Sequence, residues 1–345
     1  MVGAGSFGTA VAVLLARAGL ATSLQARTAA QATELERDRE NRRYLPGVRF
    51  PPELVIQEAG ASLGRADLVF LAVPSHALAQ AAETTAESLA PDAAAVTLAK
   101  GLVGPAGLTP AEVLAGRLGG SRVAVIGGPA HASELVREGG ALVAASANGR
   151  LAGSLASIFT RGGVVCELSD DPVGVELAGA AKNAAALACG ATVGQGLNAA
   201  GAAAGHIFQE VWRLAEARGA RPEAMIGLAG TGDLVATALA PSSRNRQAGE
   251  LLAAGVPSGE IPARVGQAVE ALDSVPLLAR ALADAGVEAP VTGGLAALVS
   301  GELSLEGWVA LVRTTVPPDG KMRLGVRPGF WARRRARLSR LLSRP

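Results

Sequence analysis

Cysteine and aromatic residues are scarce in this chain of 345 residues: it has two cysteines, and aromatic side chains make up 3% of it. Cys166 and Cys189 form neither a disulfide framework nor a metal-ligand pattern, so we expect buried, reduced thiols and no metal site. The hydrophobic fraction of 49% therefore comes mostly from Ala, Val and Leu. Such a chain can bury a core of small side chains, and its length predicts two domains.

Acidic residues are absent after Asp319, whereas nine basic residues follow it, beginning with Lys321. Without those nine, the chain has 23 basic and 30 acidic residues, a net charge of −7 instead of +2. The folded part is therefore acidic, and the tail carries the basic character. A basic tail is able to bind nucleic acid or anionic lipid. Its composition favours a solvated, disordered end instead, so no nucleic-acid partner is expected.

Long hydrophobic runs are also missing. Between Glu176 and Glu210 the only formal charge is Lys182, but glycines interrupt this stretch and Leu and Ile are sparse. A buried pair of helices fits that composition better than a membrane span. Because Met1 and Val2 lead directly into a glycine-rich loop, we expect no signal peptide, no membrane insertion and a cytoplasmic location.

Strand and helix signals alternate in the first half of the chain. We predict helices at residues 9–18 and 29–39, and strands at residues 21–25, 67–73, 94–98, 122–126, 141–145 and 163–166. This alternation indicates an α/β protein whose N-terminal domain, residues 1–168, holds a Rossmann-like doubly wound sheet. Ala- and Leu-rich helical segments then predict an all-helical substrate and catalytic domain at 169–320, before a basic, disordered tail at 321–345.

The glycine-rich loop reads Gly-x-Gly-x-x-Gly, with Gly3, Gly5 and Gly8 at the glycine positions. In a dinucleotide-binding loop the first glycine makes the tight turn, the second lets the backbone approach the pyrophosphate, and the third packs the helix on the strand. The phosphates bind at the helix N-terminus. A helix and then a strand follow at the expected spacing, so we predict a dinucleotide site.

Two features of this loop's surroundings qualify the prediction. Only Met1 and Val2 precede it, so either the first strand is a stub or translation starts upstream. The upstream start is favoured, because a missing central strand leaves ladder hydrogen bonds unmade. The second predicted strand ends near Arg27 without the acid that would bind a ribose hydroxyl and repel a 2′-phosphate. Unless Arg27 is merely a solvated surface residue, NADP is accommodated, and NAD is not excluded.

Seven further motifs follow the opening GAGSFGTA of residues 3–10. They are NRRYLP (41–46), VPSH (73–76), Lys100-Gly101 after a strand, GAAKNAAAL (179–187), GTGDLV (230–235), SRNR (243–246) and GQAVE (266–270). In this order and spacing, from Met1 to about Val312, the set resembles the bacterial-type NAD(P)-dependent glycerol-3-phosphate dehydrogenase family. The resemblance implies that dihydroxyacetone phosphate and sn-glycerol 3-phosphate are interconverted for phospholipid synthesis.

The resemblance also implies which residues act, and it identifies Lys182 as the catalytic proton donor and acceptor. The expected substrate contacts are Lys100, Gly128, Ala130, Lys182, Asn183, Asp233, Ser243, Arg244 and Asn245. Together with the glycine fingerprint, the expected contacts to NADP or NAD are Gly3, Gly5, Ser6, Phe7, Gly8, Arg27, Lys100, Ala132, Arg244, Ala268 and Glu270. The expected partner is a small phosphorylated substrate, and a homodimer is compatible with the sequence.

Elementary chemistry is consistent with these roles. Hydride transfer to a ketone needs an acid for the developing alkoxide, and desolvation on an apolar helix would lower the pKa of Lys182 toward working pH. The alternative for Lys182 is a surface lysine that snorkels. Asp233 would otherwise be a structural helix N-cap. Ser243, Arg244 and Asn245 offer a hydroxyl, a guanidinium and an amide suited to a phosphate.

The segment 127–134, GGPAHASE, departs from the family's usual SGPTFAxE. A substrate-site hydroxyl is lost at Ala130, and His131 replaces an aromatic residue. His131 is either a packing residue or a catalytic acid, and packing is favoured. The departure motivates one alternative function, a divergent paralogue that reduces another small carbonyl compound. A second alternative is a catalytically silent nucleotide-binding module, which would have no need of Lys182 or Asp233.

Overall fold

Seven short strands build the sheet of this computed structural model, which describes residues 1–316. They are β1 Ser23–Ala26, β2 Val55–Glu58, β3 Leu68–Leu71, β4 Ala94–Thr97, β5 Val123–Gly127, β6 Ala141–Ala145 and β7 Val165–Ser169. β1 pairs with β2, and the other five strands pair in the order β3-β4-β5-β6-β7. All pairs are parallel except β5 with β6.

Val2 joins the two parts of the sheet, because it bridges Gln25 of β1 on one side and Leu71 of β3 on the other. The Val2 amide donates to the carbonyl of Phe70, and the Val2 carbonyl accepts from the Ala72 amide, each at 2.8 Å. On the opposite side the Gln25 amide donates to the carbonyl of Met1 at 2.8 Å. The two residues before the glycine loop thus make the ladder hydrogen bonds of a central strand at their own positions.

The six predicted strands are confirmed with boundaries shifted by a few residues, and β2 is an additional strand. β2 reads VIQE, with only two adjacent apolar residues, which is too short an apolar run to predict a strand. The antiparallel pairing of β6 also departs from a purely parallel sheet. β5 and β6 are connected by residues 128–140, which include the short helix Ala132–Arg137.

Fifteen α-helices accompany the sheet in the described chain. They are α1 Ser6–Arg17, α2 Ala29–Asp38, α3 Ser75–Ser88, α4 Pro110–Leu118, α5 Ala132–Arg137, α6 Gly149–Arg161, α7 Pro172–Ala191, α8 Leu197–Ala217, α9 Pro222–Ile226, α10 Asp233–Leu239, α11 Arg244–Ala253, α12 Ile261–Val265, α13 Glu270–Asp284, α14 Pro290–Ser300 and α15 Leu305–Thr314. Within residues 1–316, strand structure ends at Ser169, so the change to an all-helical architecture occurs where it was predicted.

α7 is the central helix of the C-terminal part, and only three of its 20 residues, Pro172, Val173 and Cys189, are not buried. It packs against α11 so closely that side chains are excluded at the crossing. A Cβ at Gly190 would overlap the Arg246 carbonyl, and a Cβ at Gly249 would overlap the Leu187 carbonyl. The abundance of Ala and Gly is therefore used here to bring helix backbones together.

Residues Met1–Thr314 form one compact unit. The predicted division at residue 168 stays a prediction, and the predicted tail at 321–345 lies outside the described residues.

Over residues 1–316, no single helix combines the length and apolarity needed to cross a membrane, although the bent pair 222–239 and 244–253 passes on length and composition. The predicted pair of helices at 176–210 corresponds to α7 and α8.

Candidate active site

The glycine loop lies between Val2 and α1, at the carboxyl edge of the parallel strands. Gly3 has φ +104°, and a Cβ there would stand 2.5 Å from the Ala72 carbonyl oxygen. A Cβ at Gly8 would overlap the Gly3 carbonyl, whereas a Cβ at Gly5 would meet nothing within 4 Å. The first and third glycines are therefore required by the fold, and the second faces open space, as the fingerprint demands.

Side chains from the NRRYLP segment hold this loop in place. The Asn41 amide donates to the Ala4 carbonyl at 3.0 Å and to the Thr9 hydroxyl at 2.8 Å, and the Ser6 hydroxyl donates to the Tyr44 carbonyl at 2.7 Å. α1 has no side-chain N-cap and no acidic residue in its first turn. Its leading amides are therefore available to an anion, and this loop fits a dinucleotide pyrophosphate.

Arg27 directly follows β1 and is exposed. Its backbone amide donates to the Gln31 side chain at 3.0 Å, and its guanidinium makes no ion pair within residues 1–316. No carboxylate ends β1, in agreement with the sequence. The end of this strand therefore offers a free positive charge where a 2′-phosphate would lie.

Two of the three lysines in the chain share one aspartate. Lys100, after β4, donates through Nζ to Asp233 Oδ2 at 2.6 Å and to the Gly128 carbonyl at 2.8 Å. Lys182, on α7, lies 3.4 Å from Asp233 Oδ1 and donates to Thr237 Oγ1 at 3.3 Å. This lysine pair with Asp233 joins the edge of the sheet to the helical part of the chain.

Burial determines the charge states of this group. Lys182 is 8% exposed, which is incompatible with a snorkelling surface lysine. Desolvation lowers the pKa of Lys182 to about 8, although the negative charge of Asp233 opposes the shift. Burial alone would raise the pKa of Asp233, but the charges of Lys100 and then Lys182 outweigh it, so this pKa lies below its ordinary value. Asp233 is ionised, and Lys182 titrates near working pH.

Asp233 is the first residue of α10 and makes no side-chain cap for it. The N-cap alternative is therefore wrong, because the carboxylate is used by the two lysines. The hydroxyl of Thr237, one turn later on the same helix, lies 3.3 Å from Asp233 Oδ1. α10 thus presents both groups to Lys182 from one face.

A second network surrounds Glu270, the first residue of α13. Its Oε1 accepts from the Ser75 hydroxyl at 2.8 Å and from the Lys100 backbone amide at 3.3 Å, and its Oε2 accepts from the Asn183 amide at 3.2 Å. Asn183 Oδ1 in turn accepts from the Asn245 amide at 2.8 Å. Three segments that are distant in sequence therefore donate hydrogen bonds to one carboxylate.

The SRNR segment opens α11. Ser243 is its N-cap, since Oγ accepts from the Arg246 amide at 3.4 Å. The Arg244 guanidinium donates to the Ala268 carbonyl at 3.1 Å and is otherwise exposed. Asn245 is directed inward, donating to Asn183 and accepting from the Ala271 amide at 3.2 Å. Ser243 is buried, so Arg244 is the exposed side chain of this segment.

The structure therefore brings most of the predicted site residues together. Lys100, Gly128, Lys182 and Asp233 form one hydrogen-bonded group, and Asn183, Asn245 and Glu270 form another beside it. Phe7 lies under the first, with the Lys100 ammonium 5.9 Å from the ring centre. Ala130 and Ala132 are partly buried at the start of α5 and contribute no polar side chain. Arg27 stands apart, at the end of β1.

Sequence reasoning missed Ser75 and Thr237 as members of the site. Ser75 lies in the VPSH motif, and Thr237 stands one helical turn after Asp233 of the GTGDLV motif, so both lie in or next to a motif of the sequence. A hydroxyl near a motif is, however, a weak signal without the distances. His131 Nε2 lies 3.3 Å from the Ala236 carbonyl, a contact that supports packing between α5 and α10.

Fold and site together define the class of this protein: it is an oxidoreductase that uses NAD or NADP. A family model for the NAD-dependent glycerol-3-phosphate dehydrogenase N-terminus matches residues 1–152, and the model for the C-terminus matches residues 171–310. The chain belongs to the NAD-dependent glycerol-3-phosphate dehydrogenase family.

Individual relatives agree with this assignment. The chain is 38% identical to a glycerol-3-phosphate dehydrogenase (NAD(P)+) of Polaromonas naphthalenivorans, over 92% of this chain and 97% of that protein. It is 39% identical to the enzyme of that name from Deinococcus radiodurans, over 88% and 91%. The crystal structure of a Coxiella burnetii glycerol-3-phosphate dehydrogenase is similar at a TM-score of 0.85 and 31% identity, over 91% of this chain and 98% of that one.

Proposed function

We propose that this chain interconverts dihydroxyacetone phosphate and sn-glycerol 3-phosphate with NADP or NAD, and so supplies glycerophospholipid synthesis. The observation that carries the proposal is the buried Lys182, held by Asp233 and Thr237 beside Lys100 at the carboxyl edge of the sheet. A module that only binds nucleotide has no use for such a group. The family assignment supports the substrate, because the named relatives carry that activity in their names.

Lys182 acts as the general acid and base. In the direction of reduction its ammonium gives a proton to the developing alkoxide oxygen, and in oxidation its amine takes that proton back. The nicotinamide cofactor, when bound at the glycine loop, supplies or accepts the hydride. Asp233 and Thr237 hold Nζ of Lys182 in one place, and the positive charge of Lys100 stabilises negative charge that develops on the substrate oxygen.

The phosphate of the substrate is bound by the SRNR segment. Arg244 presents a guanidinium that can donate to two oxygens, and the N-terminus of α11 favours an anion. Asn245 contributes through its contact with Asn183 and through the amide hydrogen that this contact leaves free. The lost hydroxyl at Ala130 motivates the paralogue as a second candidate, in which the catalytic lysine is kept and a different small carbonyl compound is reduced.

The test is a spectrophotometric assay of purified protein with NADPH and dihydroxyacetone phosphate. We expect substrate-dependent oxidation of NADPH in the wild type. Lys182→Ala should lower kcat about 10²- to 10⁴-fold, the usual contribution of a general acid, and keep its affinity for NADPH. Lys321→Ala, which removes the third lysine of the chain, is the matched control and should turn over normally.

Each result has a clear meaning. A wild type that oxidises NADPH with other small carbonyl compounds but not with dihydroxyacetone phosphate would support the paralogue. Near-normal turnover by Lys182→Ala would remove this lysine from the mechanism. A cytoplasmic location and a homodimer belong to the same proposal, and cell fractionation and light scattering test them.

A further inference from the structure

Ser75 is a buried hydroxyl that the mechanism above does not use. It is the first residue of α3, directly after the Pro74 that follows β3, and is 3% exposed. Its hydroxyl donates to Glu270 Oε1 at 2.8 Å, across 195 residues of sequence. A Cβ at Gly101 would stand 2.6 Å from this hydroxyl, so the hydroxyl occupies a tightly packed position.

Glu270 connects Ser75 to α7, the helix that carries Lys182. Its other oxygen accepts from Asn183, which follows Lys182 on α7, and Asn183 accepts from Asn245. Asn245 closes a ring, because its Oδ1 accepts from the backbone amide of Ala271, next to Glu270. Every member of this ring is in the C-terminal half of the chain, and Ser75 is the side chain that ties its carboxylate to the sheet.

Glu270 also holds the backbone of the second lysine. Its Oε1, which accepts the hydrogen bond from Ser75, also accepts from the backbone amide of Lys100 at 3.3 Å. The Asn183 side chain donates to the Lys100 carbonyl at 3.2 Å. The backbone of Lys100 is therefore held on both sides by groups whose orientation depends on the Glu270 carboxylate.

We propose that Ser75 is a positioning residue for the reaction: its hydroxyl orients the Glu270 carboxylate, which in turn holds Asn183 and the Lys100 backbone and so aligns the two lysines. The inference rests on the proposed function, in which those lysines act on the substrate. Ser75 contacts neither lysine side chain. Its effect passes through Glu270.

A neighbouring contact between α3 and α13 allows two roles of Ser75 to be distinguished: orienting the Glu270 carboxylate, and merely docking one helix on the other. His76, the next residue, lies with Nδ1 3.3 Å from Asp273 Oδ2, one turn after Glu270 on α13. This pair joins the same two helices, but it is exposed and touches no member of the ring. If α3 served only to dock on α13, loss of His76 would matter as much as loss of Ser75.

The experiment is a double-mutant cycle with Ser75→Ala, Glu270→Ala and the double variant, with His76→Ala as the control. Small displacements of catalytic groups lower rates strongly, so we expect Ser75→Ala to lower kcat about ten-fold. In the Glu270→Ala background, which lacks the acceptor of the Ser75 hydroxyl, the same change should alter kcat less than about two-fold, because residues that act through one another are not additive. His76→Ala should keep the wild-type kcat within about two-fold, as for a surface substitution.

Three outcomes would overturn the proposal: a wild-type kcat in Ser75→Ala, an equal loss in both backgrounds, or an equal loss in His76→Ala. If Ser75→Ala does not fold, Ser75→Cys replaces it, since a thiol is of similar size but donates only weakly. The kcat of Ser75→Cys is then expected to fall by the same factor as that given for Ser75→Ala.

A second readout does not require turnover. With three lysines in the chain, ¹³Cε signals of labelled lysine report the titration of Lys182 directly. The charge of Glu270 raises the pKa of Lys182, so a carboxylate released by Ser75→Ala should lower that pKa, and His76→Ala should not. An unchanged pKa in Ser75→Ala would contradict positioning, whereas an inactive wild type with the expected shift would contradict only the proposed function.

Discussion

Lys182 shows how one residue acquires chemistry from its surroundings. It stands on a helix of mostly Ala and Gly, where burial favours the neutral amine, and it faces a carboxylate that favours the ammonium. The two effects leave its pKa at about 8, within the range in which a general acid is also a usable base. Lys100 keeps its partner Asp233 ionised without itself being buried as deeply.

This balance predicts opposite pH dependences for the two directions of the reaction. Reduction needs the Lys182 ammonium, so its kcat/KM should fall as pH rises through about 8. Oxidation needs the amine and should gain rate over the same interval. Steady-state profiles in both directions, from pH 6.5 to 9.5, measure the effect. Profiles that move in the same direction near pH 8 would contradict the assignment of the acid and base to Lys182.

Arg27 supports a prediction about the cofactor. Its guanidinium makes no ion pair within residues 1–316, and β1, which it follows, ends without the carboxylate that would repel a 2′-phosphate. Arg27→Ala should therefore raise KM for NADPH about ten-fold, the loss of one charge-assisted contact, and leave KM for NADH nearly unchanged. Arg17→Ala is not a suitable control, because Arg17 binds the Val136 carbonyl. The exposed Arg150→Ala serves instead, and equal effects on both cofactors would refute the role of Arg27.

Among the elements, α8 and α14 are joined by a buried carboxylate that substitutes for a helix cap. α14 has no side-chain N-cap of its own. Glu210 of α8 accepts from the amide of Val291 at 3.0 Å and from the amide and hydroxyl of Thr292 at 2.8 and 2.6 Å. One side chain therefore satisfies the donors that a helix N-terminus leaves unpaired.

Replacing this carboxylate should be costly for stability. Glu210→Ala leaves two buried amides and a hydroxyl without partners, so we expect the free energy of unfolding to fall by about 2–4 kcal/mol. Urea denaturation followed by circular dichroism measures this change. Glu216→Ala, at an exposed position on the same helix, should change stability by less than about 0.5 kcal/mol. If the two variants were equally stable, Glu210 would not be the cap of α14.

For the molecule as a whole, local patterns predicted six of the seven strands and the helical second half, and the family resemblance suggested most residues of the candidate site. The glycine loop could be predicted because its constraints are local. At Gly3 and at Gly8 a nearby backbone atom leaves no room for a Cβ. β2 escaped prediction because its sequence VIQE carries an apolar run of only two residues. The contact between Ser75 and Glu270 spans 195 residues, and no spacing rule reaches that far. The tertiary arrangement, and not the motifs, decides which hydroxyl meets which carboxylate.

Glu176 offers a test of how such buried groups affect the stability of the whole molecule. It lies on α7 and is 3% exposed; its Oε1 accepts from the Ala111 amide at 2.8 Å, and its Oε2 has no partner within residues 1–316. Burial raises the pKa of Glu176 from 4.5 to about 8, against the opposing effect of the nearby polar groups of Thr109 and Ala111. The folded protein therefore keeps a proton that the unfolded chain has already released.

The sign of the resulting pH dependence follows from linkage. Between pH 4.5 and 8 the folded state binds more protons at this site than the unfolded state, so this site makes stability fall as pH rises, by up to about 1.4 kcal/mol per pH unit. Glu176→Gln keeps the oxygen that accepts from Ala111 and carries no charge at any pH. Its stability relative to the wild type should therefore increase from pH 5 to pH 8 and level off above.

Urea denaturation at several pH values measures that difference, with Glu87→Gln, at an exposed position on α3, as the control expected to show no such trend. A constant difference between Glu176→Gln and wild type across this range would mean that the carboxyl is ionised in the folded protein at neutral pH. The protein would then hold a buried negative charge on the same helix as Lys182, and the electrostatic account of the lysine pair would have to include it.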